Sequence, residues 1–206
     1  PAPDSVTNAI YELTTQIKNY SIVPDLTCDI DTIGVNNFEV NGKEFVVEII
    51  DFVNDYLELM KSIFDFPNSR IFSVLMQRNP SVYLSIQCMA VVTGPYVKRI
   101  FLDELGAPVN SAIKITPLPD FGGGHPDPNL TYAADLVDNL RNSDFDFGAA
   151  FDGDGDRNMI LGAKAFFVTP SDSVAILGNH LNSIPYFQKT GIKGVARSMP
   201  TGAAID

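Results

Sequence analysis

Phe147-Gly148-Ala149-Ala150-Phe151-Asp152-Gly153-Asp154-Gly155-Asp156-Arg157-Asn158 joins a short apolar run to three carboxylates that alternate with two glycines. The run predicts a buried strand over 147–151, and the acidic stretch a loop at its carboxyl end. Ligands of open parallel sheets collect at that edge. Three aspartates this close repel one another unless a cation neutralises them. The glycines permit backbone conformations that let the carboxylates converge. Hard oxygen donors favour Mg²⁺, Mn²⁺ or Ca²⁺ over zinc. An EF-hand counted from Asp152 needs Gly where Arg157 stands and Glu where Ala163 stands, so that calcium loop is excluded. Asp152, Asp154 and Asp156 are therefore candidate metal ligands, with coordination places left for water or a phosphate oxygen. Arg157 offers a planar fork suited to such oxygens. A solvated acidic turn is the bland alternative; strict alternation after an apolar strand favours the metal.

Around this stretch, strand and helix patterns alternate. Residues 45–50 predict a strand, 52–64 a helix, 82–88 a strand, 94–105 a helix, 112–115 a short strand and 130–140 a helix. Such alternation argues for an α/β unit with a mostly parallel sheet. Residues 158–161 and 165–168 flank Gly162-Ala163-Lys164 and predict a short hairpin. Pro170 and Ser171 open a helix that runs to 181, and 194–197 predict a further strand. Ahead of all this, Val6, Ile10, Leu13 and Ile17 stand at helical spacing, with Asp4 or Ser5 as cap. Residues 23–42, punctuated by Pro24, Gly34 and Asn41-Gly42, read as a polar connection and an interdomain boundary.

Lys plus Arg number 14 against 25 Asp plus Glu, a net charge of −11 over 206 residues that are 45% hydrophobic. Disorder is excluded by the apolar content, and non-specific nucleic-acid binding by the want of clustered Lys and Arg. No apolar run approaches the ~20 residues of a membrane span, so no membrane insertion is expected. Two cysteines, Cys28 and Cys88, make neither a disulfide framework nor a metal site and read as reduced thiols of a cytoplasmic protein.

Several separated segments resemble one family. The stretch from Phe147 to Gly162 looks like the metal-binding loop of the phosphoglucomutases, in the α-D-phosphohexomutase superfamily. Asp120-Phe121-Gly122-Gly123-Gly124-His125-Pro126-Asp127-Pro128-Asn129-Leu130-Thr131-Tyr132-Ala133 resembles another signature of that family. Gly94-Pro95-Tyr96, Pro170-Ser171-Asp172-Ser173 and Arg197-Ser198-Met199-Pro200-Thr201 match further segments in the same order. The resemblance implies a mixed, mostly parallel sheet flanked by helices, as in a phosphohexomutase central domain. It assigns residues 1–42 to the end of domain 1 and a linker, 43–168 to domain 2, and 169–206 to the start of domain 3. It implies interconversion of glucose 1-phosphate and glucose 6-phosphate through a phosphoserine and glucose 1,6-bisphosphate as primer. Asp152, Asp154 and Asp156 would hold Mg²⁺, and Arg157 would place a phosphate. The phosphosugar substrate and the remaining domains of the same polypeptide are the implied partners.

The sequence also departs from the resemblance. The family's Thr-x-Ser-His-Asn-Pro nucleophile loop does not occur, so the chain is expected to be an inactive fragment of a longer enzyme; Ser198, followed by Met199-Pro200, is not promoted to nucleophile. Where relatives read close to Asp-Ala-Met-His-Gly-Val-Val-Gly-Pro-Tyr, this chain has Gln87-Cys88-Met89-Ala90-Val91-Val92-Thr93-Gly94-Pro95-Tyr96. Val91 cannot visit left-handed conformations as Gly does, so the loop must be rebuilt. That change favours the alternative reading, a non-catalytic scaffold, adhesion or exocytosis-related relative. His125 and Asp127 read first as residues that shape their Pro-rich loop, with proton transfer by His125 as the sharper reading.

Overall fold

The computed structural model describes residues 2–24, 26–66 and 83–206. Contacts divide the chain into two compact units, Pro1–Asp51 and Phe52–Asp206.

The first unit carries helix α1, Asp4–Gln16, and a hairpin of β1, Gly34–Val40, with β2, Lys43–Ile49. The helix ends before Ile17, and Pro3 precedes it without a side-chain cap. Val6, Ile10, Leu13 and Ile17, expected at helical spacing, are all exposed. The strand expected at 45–50 is present as β2, but it pairs antiparallel with β1 and takes no part in the parallel sheet. The stretch read as a polar connection holds its partner. Asn41 and Gly42 both adopt positive φ, 53° and 72°, between the paired Val40 and Lys43. Two such residues make the tight turn whose twist matches the strands it joins.

The second unit is α/β. Its sheet has the order β4-β3-β5-β6-β7, where β3 is Tyr83–Gln87, β4 Ala112–Ile113, β5 Phe145–Phe151, β6 Asn158–Gly162 and β7 Phe166–Val168. β3 runs parallel to β4 and β5, whereas β5–β6 and β6–β7 are antiparallel, so the sheet is mixed. Residue 82 of the expected strand lies outside the described residues. Helix α2, Asn54–Ile63, precedes the sheet. Helix α3, Thr93–Val97, continues into a π-helical stretch, Lys98–Glu104. Helix α4 is Ala134–Asn142, α5 Pro170–His180 and α6 Pro185–Thr190. The helix expected at 130–140 starts late because Asn129 Oδ1 accepts hydrogen bonds from Thr131 N and Tyr132 N, both at 2.9 Å, and holds that turn out of the helix. No ladder forms at 194–197; there the Arg197 guanidinium pairs with Asp206 instead, at 2.6 and 2.7 Å.

Two apolar clusters hold the sheet. Leu136, Val137 and Leu140 of α4 pack on Ala150, Met159 and Leu161, while Ile86, Cys88 and Val97 form the other with Phe101 and Phe151 against them. Each fully buried Leu contributes about 1.5–3 kcal/mol. Burial pushes the Cys88 thiol up to about 12, against a lowering by the Thr93 hydroxyl, and leaves it unreactive. Cys28 is only half-buried. Among the described residues no helix is long and apolar enough to cross a membrane.

The rebuilt turn after β3 resolves differently from its expectation. Met89 and Ala90 take the left-handed conformations, φ 51° and 60°, and Val91 does not. Backbone bonds pin the turn: Ala90 N donates to Lys114 O at 2.9 Å and Leu118 N to Ala90 O at 3.0 Å. A left-handed non-glycine residue costs about 1–2 kcal/mol. Ala90→Gly is expected to relieve that strain and stabilise the chain by about 1 kcal/mol, read as a raised denaturation midpoint at unchanged slope.

Candidate metal centre

The acidic loop is the connection of the β5–β6 hairpin, closed by the Phe151–Asn158 pair. It leaves the sheet at the carboxyl end of β5, where β3 and β4 also end, so the turns after all three parallel strands share one edge. β5 buries Gly148, Ala149 and Ala150 in succession while β6 alternates and buries Met159 and Leu161, and the Ala150–Met159 pair fixes the register and therefore the loop length.

Asp152 is the buried member, 2% exposed. Its Oδ1 accepts from the backbone N–H groups of Gly155 and Arg157, both at 3.0 Å, and its Oδ2 from Arg157 Nε at 2.9 Å. Gly155 sits at φ +81°, and a Cβ there would approach Thr93 Cγ2 to 2.8 Å, so two constraints demand glycine at this point. Burial pushes the Asp152 carboxyl up, but the hydrogen bonds and charge of Arg157 outweigh it and hold the group below its ordinary 3.8. An ionised carboxylate has about four acceptor sites. Three are taken, which leaves Oδ2 able to accept one more ligand.

Asp154 and Asp156 are exposed, and one ligand oxygen from each of the three aspartates lies within 4.8 Å of the others. That span is close to what a hard divalent ion with bonds of ~2.1 Å imposes. The Asp154 carboxylate, then burial and Asp152, push the Asp156 carboxyl above 3.8. Carboxylates this close make the ionised form of each other more costly. The donor set thus fits a hard divalent cation. An apolar-walled cavity of about 360 Å³ opens beside Asp154 and Gly155, lined by Tyr56, Thr93, Tyr96 and Phe151.

Arg157 lies next to the cluster with its guanidinium held twice. Nε bonds Asp152, and Nη1 bonds Asp127 Oδ1 at 2.8 Å. Asp127, assigned to loop shaping on sequence, therefore reaches the site from thirty residues upstream. No local spacing carries that pairing; the signal was its place in a second loop at the same sheet edge. His125 stacks on Tyr132, ring centroids 4.1 Å apart and 11° from parallel, and has no contact with the acidic cluster among those described.

The family model for phosphoglucomutase/phosphomannomutase alpha/beta/alpha domain II matches residues 54–164, more than half of the chain. The chain belongs to the phosphoglucomutase/phosphomannomutase family. Phosphoglucomutase 1 of Drosophila melanogaster is 55% identical over 206 residues, covering 100% of this chain and 37% of its own length. Phosphoglucomutase-1 of Homo sapiens is 52% identical over 208 residues, with 100% and 36% covered. The solved open form of the exocytosis-sensitive phosphoprotein parafusin from Paramecium, described as a phosphoglucomutase, matches with a TM-score of 0.81 at 44% identity over 100% of this chain and 37% of its own. The chain therefore spans little more than a third of the length of these family members.

Arg157→Gln is expected to move the Asp152 titration upward, because burial then acts with less opposition; carboxylate NMR reads the shift. Asp152 contributes stability present above pH 3.8 and lost as pH falls through its lowered value, so the variant loses that contribution at neutral pH. Asp156, raised above 3.8, has the opposite sign: it costs stability at neutral pH that returns as pH falls through its raised value. Mg²⁺ or Mn²⁺ is expected to bind the chain with a Kd of about a millimolar or weaker, more weakly again at acid pH. Asp154→Asn should weaken it at least about tenfold; an unchanged Mn²⁺ titration would exclude these ligands.

Proposed function

We propose that this chain is the metal-loop-bearing central portion of a phosphoglucomutase that interconverts glucose 1-phosphate and glucose 6-phosphate through a phosphoserine enzyme and glucose 1,6-bisphosphate. The observation that carries the reading is the convergence of Asp152, Asp154 and Asp156 on one loop beside a twice-anchored Arg157, in a chain half identical along its whole length to phosphoglucomutases. In this reading residues 1–42 are the end of domain 1 and a linker, 43–168 form domain 2, and 169–206 open domain 3. The nucleophilic serine comes from the remainder of the polypeptide, and the protein works in the cytoplasm.

Asp152, Asp154 and Asp156 would hold Mg²⁺, which would supply positive charge against the negative charge of a phosphoryl group. Asp152 would offer the ion one oxygen while its other acceptor sites keep the loop closed on Arg157. The guanidinium has five N–H donors; Nε and one N–H of Nη1 are engaged, so the Nη2 edge is available to phosphate oxygens. Because two carboxylates already fix the side chain, little rotamer freedom is lost when phosphate binds.

Val91, at the position of the family's glycine, takes no left-handed conformation, so that replacement is no obstacle to the enzyme reading. The full-length protein, serine-phosphorylated and supplied with glucose 1-phosphate, Mg²⁺ and the bisphosphate primer, is expected to turn over, and the 206-residue chain alone is not. Asp154→Asn in the full-length protein should lower kcat by roughly 10²-fold or more. A well-folded, phosphorylated protein without turnover would reject the enzyme and leave the scaffold.

A further inference from the structure

β3 buries two polar side chains on one face. Ser85 and Gln87 are 1% and 0% exposed, and alternate residues of a strand share a side. Among the described residues, Ser85 Oγ and both amide atoms of Gln87, Oε1 and Nε2, have no hydrogen-bond partner. Buried polar groups are nearly always paired, so an amide left open at both atoms requires a complement. Gln87 is the last residue of β3 and lines a cavity of about 340 Å³ at the edge where β3 and β4 end. That volume is at the lower end of the range for small-molecule sites.

The cavity is pre-formed. Ala90 N donates to Lys114 O at 2.9 Å and Leu118 N to Ala90 O at 3.0 Å, which holds the turn after β3 against the segment after β4. Flat rings dominate its walls. His125 and Tyr132, stacked with centroids 4.1 Å apart, both line it. Phe121 joins them from a backbone at φ 58°, uncommon for an aromatic residue. Lys114 lines it too, but its ammonium pairs with Asp135 at 2.5 Å, and among the described residues no carboxylate lines the cavity. A free cation or a phosphate therefore finds little here that selects it. A carboxamide instead selects an edge with a donor beside an acceptor, and aromatic walls select a flat ring. An aminopurine has both, and Gln is a bidentate partner of adenine.

We propose that this cavity binds a purine base with an amino group beside a ring nitrogen, as in adenine or adenosine, and that Gln87 bonds that edge through Oε1 and Nε2. The ring packs against Phe121 and the His125–Tyr132 pair. The site shares no residue with the acidic loop, and the proposal does not depend on the mutase reading.

Adenine and adenosine are titrated into the chain while the Gln87 side-chain amide and the rings of His125 and Tyr132 are followed by NMR. Both ligands are expected to bind with a Kd of about a millimolar or tighter and to shift the Gln87 amide. The analogue 6-dimethylaminopurine keeps the flat ring but lacks the donor, and should bind at least about tenfold more weakly. Gln87→Met keeps the volume and removes both polar atoms. It should weaken adenine binding at least about tenfold and leave the denaturation midpoint of the free chain unchanged or higher, because no hydrogen bond is lost. No response to adenine, with water alone satisfying the amide, overturns the proposal. So does binding that Gln87→Met or the dimethyl analogue leaves unchanged, and the analogue decides the matter if the variant does not fold. AMP is the remaining arm. Its affinity is expected to equal that of adenosine; much tighter binding of AMP would assign recognition to the phosphate and overturn the proposal.

Discussion

The pairing of the buried Asp152 with Arg157 is the constraint on which the acidic loop depends. A carboxylate 2% exposed at the end of a core strand must be hydrogen-bonded or neutralised. The loop answers by wrapping back, so that two backbone donors and one guanidinium donor meet it within six residues. Closing the loop in this way brings Asp154 and Asp156 near Asp152 at an electrostatic cost, which the raised carboxyl of Asp156 records. The same bonds that satisfy a core acid thus assemble three carboxylates at the surface, with one oxygen of each within 4.8 Å of the others.

The sheet converts this local device into a site. β3, β4 and β5 run parallel and end together, so the left-handed turn at Met89-Ala90, the segment after β4 and the acidic loop collect on one edge. The Pro-rich loop before α4 joins them through Asp127. Arg157 stands where these segments meet, held by carboxylates that come from two of them. The antiparallel β6 and β7 extend the sheet on the other side and set the length of the loop through the register of β5 on β6.

Much of the second unit was legible because its signals are local. Periodic apolar residues gave α2, α4 and β5 to within a few positions, and the turn residues at 162–164 gave the last hairpin. Failures came where a partner outside the local window decided the outcome. Residues 45–50 have strand character, but only the antiparallel ladder with β1 shows which sheet they join. Residues 194–197 have it too, yet no strand edge takes them up and Arg197 pairs with Asp206. In the turn after β3 the left-handed residues are Met89 and Ala90 and not Val91, on backbone pinned by Lys114 and Leu118, a placement that residue types alone do not give.

The sequence by itself determined the α/β class of the second unit, the acidic loop at the end of a buried strand, and the family that its scattered motifs resemble. These follow from periodicity, from charge density and from residue types that only certain backbones admit. Only the tertiary structure decided that Asp152 is the buried ligand candidate while Asp154 and Asp156 face outward, and that Arg157 is shared with Asp127. Burial and pairing over thirty residues depend on which strands lie side by side, and strand order is a property of the packed sheet that no local stretch of chain encodes.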